Sequence, residues 1–456
     1  MSAGSYSHYV DLERGLVSRE IFSSEEIFRR ELEMLFSRAW LFVGHESLIP
    51  NPGDYFNSRM GTESVIVCRD ENNQVQVLLN SCRHRGMRVS LYDQGNTRSF
   101  TCPYHAWTFG LDGSLTGVPQ FKTLYEGRMD RSEWGLARPP HVYVYKGTIW
   151  ASWDPDAPDF LTYLGDAKEH LDLALDARDG REGGSVVIGG ITKWIIPCNW
   201  KFPAENFMGD TYHNISHASV DRIGIGPSAR TAGTRGRRDP ELERAQHVWI
   251  NFPQGHGVHS AIMPEGEEYV ESFKDNPEVE EYFRHCFEER RKRHGDKARL
   301  RPFVGTIFPN TSFHGHQPRS IFVWHPHGPT SIEVWRFFLI DHDAPKVVKD
   351  FLRQYYMRYS GPAGMTEQDD IENWMHATNA CVGPIARRFP FNYTQSLNAS
   401  TLNQPLPGNV SLQITEENAR ALYNRWRDYM EGKSWDDLLG KNDPMYADNA
   451  GKGKNV

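Results

Sequence analysis

Two of the chain's six cysteines and two of its nineteen histidines fall in one short stretch, Asn80 to Trp107. They read Cys82-x-His84, seventeen intervening residues, then Cys102-x-x-His105. Thiolates and neutral imidazoles are the ligands that soft and borderline metals select. A zinc site ordinarily keeps its cysteines in one arm and its histidines in the other, whereas here each arm carries one of each. That arrangement suits a [2Fe–2S] cluster with two Cys on one iron and two His on the other, which raises its potential above an all-cysteine cluster. Gly86 and Pro103 fit tight loops that bring backbone N–H groups to the sulfurs, and Trp107 is placed to shield the cluster.

A second constellation lies in "NWKFPAENFMGDTYHNISHAS", Asn199 to Ser219. On a helix, Asp210, His213 and His217 stand at i, i+3 and i+7 and share one face. Two imidazoles one turn apart can bind one metal ion. The zinc-protease version needs Glu directly after the first His, and this chain has Asn214 there. A one-electron donor cluster in the same chain also needs a terminus. Non-haem Fe(II) held by two His and one carboxylate, with open positions for O2, answers both points. Candidates for the carboxylate are Asp210 and, in "TEQDDIENW", Glu367, Asp369, Asp370 and Glu372. The residues alone leave that choice open.

The elements that must hold these groups fall into two textures. The chain has 456 residues, so two compact units are expected. Residues 24–40 place Ile27, Leu32, Leu35, Phe36 and Trp40 at helical spacing behind Ser23 and Ser24 as caps. From 41 to 155, short β-rich runs punctuated by "NPGD", "DENN", "DQGN" and "LDGS" read as a small all-β unit. Residues 1–40 and 156–456 form the second unit. In it, strands "QHVWINF", "SIFVWHP" and "SIEVWRFFLI" mix irregularly with helices "NPEVEEYFRHCFEERRKR", "PKVVKDFLRQYYMRYS" and "TEENARALYNRWRDYMEG". The expected class is α+β. The last residues, "DNAGKGKNV", look frayed.

Net charge of −8 argues against a nucleic-acid binder. No apolar run reaches the length of a membrane span, no secretory leader is visible, and the scattered cysteines suit a reducing, cytoplasmic setting. "GIGPSA" (Gly224 to Ala229) matches G-x-G-x-x-A in form, but it neither follows a clear strand nor opens a helix, so dinucleotide binding is rejected there. The basic run Arg230, Arg235, Arg237 and Arg238 reads as a solvated loop.

"CRHRGM" and "CPYHAW" resemble the Rieske signature of aromatic-ring-hydroxylating dioxygenase large (α) subunits, and the resemblance covers nearly the whole chain. It implies a β-rich Rieske [2Fe–2S] domain set into a catalytic domain with an antiparallel sheet flanked by helices. "SGPAGMTEQDDIENW" resembles the segment carrying the third iron ligand, which makes it Asp370; Asp210 then bridges His213 to the cluster ligand His105 of a neighbouring subunit. The resemblance further implies an α3β3 assembly with a small β subunit in a bacterial cytoplasm. Electrons would come from NAD(P)H through a separate reductase and ferredoxin, and both atoms of O2 would enter an aromatic ring to give a cis-dihydrodiol. A Rieske monooxygenase or demethylase, or an aromatic-acid hydroxylase of the same superfamily, is the alternative, and a bare electron carrier a further rival. By resemblance the pocket is lined by Asn206, Phe207, Thr211, Asn214, His314, His316, Gln317, Phe322 and Ser360. The histidines, with Arg301 and Arg319 close in sequence, favour an aromatic carboxylate, whereas Ser360 and Thr366 leave room for a polycyclic aromatic hydrocarbon.

Overall fold

The computed structural model describes residues 6–175, 184–223, 245–266, 268–273, 275–397 and 406–440. The G-x-G-x-x-A stretch, the arginines at 230–238 and the C-terminal tail lie outside the described residues. The chain forms two compact units: Phe36–Phe160, and the flanking Met1–Leu35 with Leu161–Val456. The inserted unit extends five residues further at each end than the 41–155 expected.

Three small antiparallel sheets build the inserted unit. Strands β1 (Leu41–His45), β2 (Asp54–Met60), β3 (Glu63–Arg69), β4 (Val75–Leu79), β5 (Gln94–Asn96), β6 (Phe100–Thr101), β7 (Thr108–Phe109), β8 (Leu115–Gly117), β9 (His141–Tyr145) and β10 (Thr148–Ser152) pair in the orders β4-β3-β2-β5, β8-β7-β6 and β9-β10-β1. Alternation along β2 puts Phe56, Ser58 and Met60 on one buried face and turns Tyr55 to the other, toward the cysteine-bearing core. Ile66, Leu78, Phe100, Phe109 and Leu115 then close a core that also contains Cys82, Cys102 and Trp107. The cysteine-bearing loops are thus anchored in a buried core of the unit.

In the larger unit eight antiparallel strands form one sheet: β11 (Ser185–Ile196), β12 (Gln246–Asn251), β13 (Gly257–Ile262), β14 (Leu300–Ile307), β15 (Thr311–His314), β16 (Ser320–Pro326), β17 (Ile332–Asp341) and β18 (Asn409–Ser411). Strands β12 to β17 run as an up-and-down meander, while β11 joins the β17 edge and β18 the β12 edge. Val-, Ile- and aromatic-rich β16 and β17 are buried almost throughout, because helices cover the sheet where they lie.

Helices α1 (Glu25–Glu31), α2 (Lys201–Asn206), α3 (Pro277–His294), α4 (Lys346–Tyr359), α5 (Glu367–Val382) and α6 (Glu417–Met430) flank this sheet. The α1 segment expected to stay helical through 40 is α-helical only to Glu31 and then widens into a π turn over Leu32–Phe36. Ser24 caps it, accepting from the Ile27 amide at 3.3 Å. At its end Glu31, 1% exposed, meets Lys201 Nζ at 2.6 Å and accepts from the indoles of Trp426 (2.7 Å) and Trp200 (3.0 Å). A buried carboxylate needs this full set of partners.

Candidate functional site

Cys82 and Cys102 close two loops of the same design. The Cys82 amide donates to the Met87 carbonyl and the Gly86 amide to the Cys82 carbonyl, both at 2.8 Å. The Cys102 amide donates to Trp107 (2.8 Å) and the Ala106 amide back to Cys102 (2.9 Å). The fourth residue after each cysteine must take positive φ: Gly86 at 74° does so freely, Ala106 at 57° against its Cβ. The loops bring the His84 and His105 rings to 4.5 Å, and Trp107 stacks on His84 at 4.9 Å. Burial pushes the Cys82 thiol up, while the His84 and Arg85 amides directed at it work the other way. Nδ1 of His84 is sealed from solvent without a hydrogen-bond partner. Two buried thiols beside two facing imidazoles, one with an orphaned nitrogen, fit the donor set of a mixed Cys/His [2Fe–2S] cluster.

The segment expected to carry Asp210, His213 and His217 on one helix does not form one. Gly209 (φ 106°) breaks it after α2, and only glycine fits there, since a Cβ would come within 2.6 Å of His259 Cβ. Asp210 sits in the turn, and Tyr212–His217 is a 3-10 turn instead. His213 and His217 still converge: their rings meet edge-on at 71° with the two Nε2 atoms 3.2 Å apart. Asp370 Oδ1 lies 3.1 Å from the first and 3.2 Å from the second. Three mutually adjacent ligands of an octahedral ion with bonds of about 2.1 Å are themselves about 3 Å apart, so this triangle has the dimensions of a facial triad. Among the described residues it is the group of three ligand-type side chains close enough to share a metal ion.

The four acids left open on "TEQDDIENW" now separate. Residues 367, 370, 374, 378 and 381 form the buried stripe of α5, so Asp370 faces inward and Glu372 outward. Glu367 is spent on the buried Arg336 guanidinium and the Gly361 amide (2.5 Å). Asp369 Oδ2 stands 3.4 Å from His217 Nδ1, matching Asp210 Oδ2 at 3.6 Å from His213 Nδ1. Each imidazole therefore offers Nε2 to the triad and turns Nδ1 toward a second carboxylate, the side on which a metal-binding imidazole keeps its proton. The orienting role of Asp369 was not anticipated; its sequence signal is the position directly beside an inward-facing Asp. Burial disfavours charge on His213, yet the Asp370 and Asp210 carboxylates beside the ring outweigh it and raise its pKa to about 10. Burial likewise opposes ionisation of Asp370, but the two histidines draw it down to about 2.

A cavity of about 580 Å³ opens beside the triad. Asn206, Phe207, Thr211, Asn214, His314, His316, Gln317 and Ser360 all line it, as does Thr366. Phe322 does not: fully buried, it packs behind Phe207 at 4.5 Å and beneath the Arg336 guanidinium at 3.9 Å. His247, His259 and Phe303, from β12, β13 and β14, add a wall that sequence reasoning missed, since nothing in a strand histidine marks which face it takes. Burial drives the His314 pKa down to about 3, so its ring is neutral. Arg319 forms a buried ion pair with Asp341 at 2.7 Å, so its charge is already matched.

Two family models match the chain: a Rieske [2Fe-2S] domain over residues 39–129, and the catalytic domain of the ring hydroxylating alpha subunit over residues 160–432. The biphenyl dioxygenase subunit alpha of Paraburkholderia xenovorans (strain LB400) is 38% identical over 443 residues, covering 93% of both chains. The benzene 1,2-dioxygenase subunit alpha of Pseudomonas putida is 37% identical over 443 residues, covering 94% of both. A solved naphthalene 1,2-dioxygenase from Rhodococcus sp., bound to indole, superposes with a TM-score of 0.80 at 34% identity, covering 93% of this chain and 98% of that one.

Proposed function

Since the chain belongs to the ring-hydroxylating dioxygenase α subunits, we propose that it adds both atoms of O2 across one double bond of an aromatic ring, giving a cis-dihydrodiol. The family is an oxidoreductase family whose α subunits carry a Rieske [2Fe–2S] cluster and a mononuclear iron, use O2, and work with partner subunits and electron-transfer proteins. The expected balance is one arene, one O2, one NAD(P)H and one proton to one dihydrodiol and one NAD(P)+. A separate reductase and ferredoxin supply the electrons, and a small β subunit completes an α3β3 assembly.

Cys82, His84, Cys102 and His105 hold the cluster, and His213, His217 and Asp370 hold the iron. Bound there, iron(II) supplies the redox chemistry that activates O2. The chain's own residues do the rest. Asp210 and Asp369 keep each imidazole's Nδ1 protonated and its ring turned so that Nε2 faces the triad. Asp210, with its side chain 46% exposed, keeps room to accept a second hydrogen bond, from His105 of the partner subunit. Phe207 and Phe303 line the cavity and offer flat apolar surface to a ring.

The observation that carries this reading is the 3.1–3.2 Å triangle of Nε2, Nε2 and Oδ1 beside a cavity of ligand size. Iron analysis of anaerobically prepared protein tests it. The wild type should hold about three irons per chain, and His213→Ala or Asp370→Ala about two, with the cluster's absorption intact. Two irons in the wild type would leave only an electron carrier. Product identification from a panel of neutral and carboxylated aromatics then reads the reaction, and a dihydrodiol is the expected product.

A further inference from the structure

A second, smaller cavity of about 160 Å³ adjoins the first. Ser272, Phe273, His316, Gln317 and Tyr355 line both, so they form a shared threshold. The charges beyond that threshold do not cancel. Asp341 is held by Arg319 at 2.7 Å and by the Tyr282 hydroxyl at 2.7 Å. Glu268 accepts from the Gly266 amide at 3.0 Å and faces Arg291 at 3.7 Å. Arg290, from the last turns of α3, is different. Its Nη2 donates to the Leu300 carbonyl and its Nε is sealed from solvent without a partner. Among the described residues no carboxylate lies within ion-pair distance of it. Burial pulls its pKa down to about 10, with no opposing charge to hold it up. A withdrawn cation facing a cavity without a counter-charge is costly unless something anionic joins it.

We propose that this side cavity is an anion subsite of the ring-oxidising site: an aromatic ring occupies the large cavity while a short chain carries a carboxylate past Gln317 to the Arg290 guanidinium. The substrate class is then an aromatic acid with a flexible spacer. Arg290 replaces Arg319 as the selecting cation, because Arg319 is already neutralised. Guanidinium and carboxylate meet in a planar, charge-assisted pair, which lends itself to discriminating an acid from its ester. The inference rests on the proposed function of the large cavity.

The test uses the holoenzyme and direct binding, so that it does not depend on turnover. Phenylacetate through 5-phenylpentanoate and their methyl esters are titrated calorimetrically under anaerobic conditions, alongside inorganic phosphate. At least one acid should bind on the order of ten-fold tighter than its ester. Arg290→Met should abolish that difference without weakening ester binding, and Arg290→Lys should retain part of it. A merely structural arginine, acting through its bond to the Leu300 carbonyl, would on replacement weaken acid and ester alike. Equal binding of acid and ester, an equal loss of both in Arg290→Met, or Arg290-dependent binding of phosphate alone would overturn the proposal. Dihydrodiol from neutral aromatics without acid preference would sink the subsite and keep the function. Arg290-dependent acid binding with no ring oxidation of any compound would do the reverse.

Discussion

The two proposed ligand sets are built on opposite principles. In the inserted β unit, each Cys-His pair sits on one tight loop whose backbone hydrogen bonds repeat residue for residue. Geometry there is local, and the sequence spacing is the geometry. In the larger unit, His213 and His217 come from a 3-10 turn and Asp370 from α5, far along the chain. Nothing local joins the histidines to Asp370, and outer carboxylates rather than backbone turns stand behind the two imidazoles. The first set tolerates little change in the chain between its residues. The second depends on tertiary packing of separate elements.

The contrast breaks most visibly at Asp370. Asp370→Ala should lose the mononuclear iron and at least about 10³-fold in ring oxidation, with the cluster's spectrum unchanged, because no neighbouring acid can replace its inward position. Metal analysis and visible spectroscopy check both halves. If the cluster is lost as well, the two sets are less independent than their construction indicates.

The larger unit is also where ionisable groups are hidden. Burial, opposed by hydrogen bonds from Tyr423 and Tyr393, raises Glu205 to about 8. A carboxyl with a raised folded-state pKa stabilises fully below its unfolded value and loses that contribution as pH rises through about 8. Thermal unfolding should therefore show stability falling between about pH 4.5 and 8, by an order of magnitude of a few kcal/mol, and Glu205→Gln should flatten that slope. An unchanged slope would place the pH dependence elsewhere.

Asp369→Asn should weaken iron binding by about ten- to a hundred-fold while leaving the triad in place, as read by competition with a chelator. No change would show that packing alone orients His217. The smallest effect belongs to the paired loops. Gly86→Ala should cost the β unit about 1 kcal/mol, since it adds a Cβ at φ 74°. Ala106→Gly should be close to neutral, because relief of strain offsets the added freedom of the unfolded chain. Equal effects from the two would show that the loops' shared hydrogen bonding does not extend to their energetics.

How much of this the sequence makes legible follows from the same contrast. Cys82, His84, Cys102 and His105 can be paired by counting, because a tight loop is decided within six residues. The helices at 277–294, 346–359 and 417–430 are equally readable from their apolar periodicity and, for α3, from Asn276 and Pro277 at its start. The iron set is only half readable. Two histidines four apart suggest a metal, but the expected helix breaks at Gly209, where the need for a glycine is seen only in His259, from another strand. The proposed third ligand sits among three other acids, and Arg336 removes one of them through an ion pair that no spacing announces. Phe322 fails as a lining residue for a related reason: strand alternation gives two faces without saying which meets the cavity.

The node at Glu31 sets a timetable for biosynthesis. Its indole partner Trp426 lies 395 residues downstream, and at ordinary elongation speeds that distance takes roughly 20–80 s to translate. Until then the Glu31 carboxylate lacks one of its three partners. The inserted β unit, complete by residue 160, has emerged long before. On the ribosome, the iron–sulfur scaffold is therefore ready to fold while the oxygen-handling part still waits for its last helix.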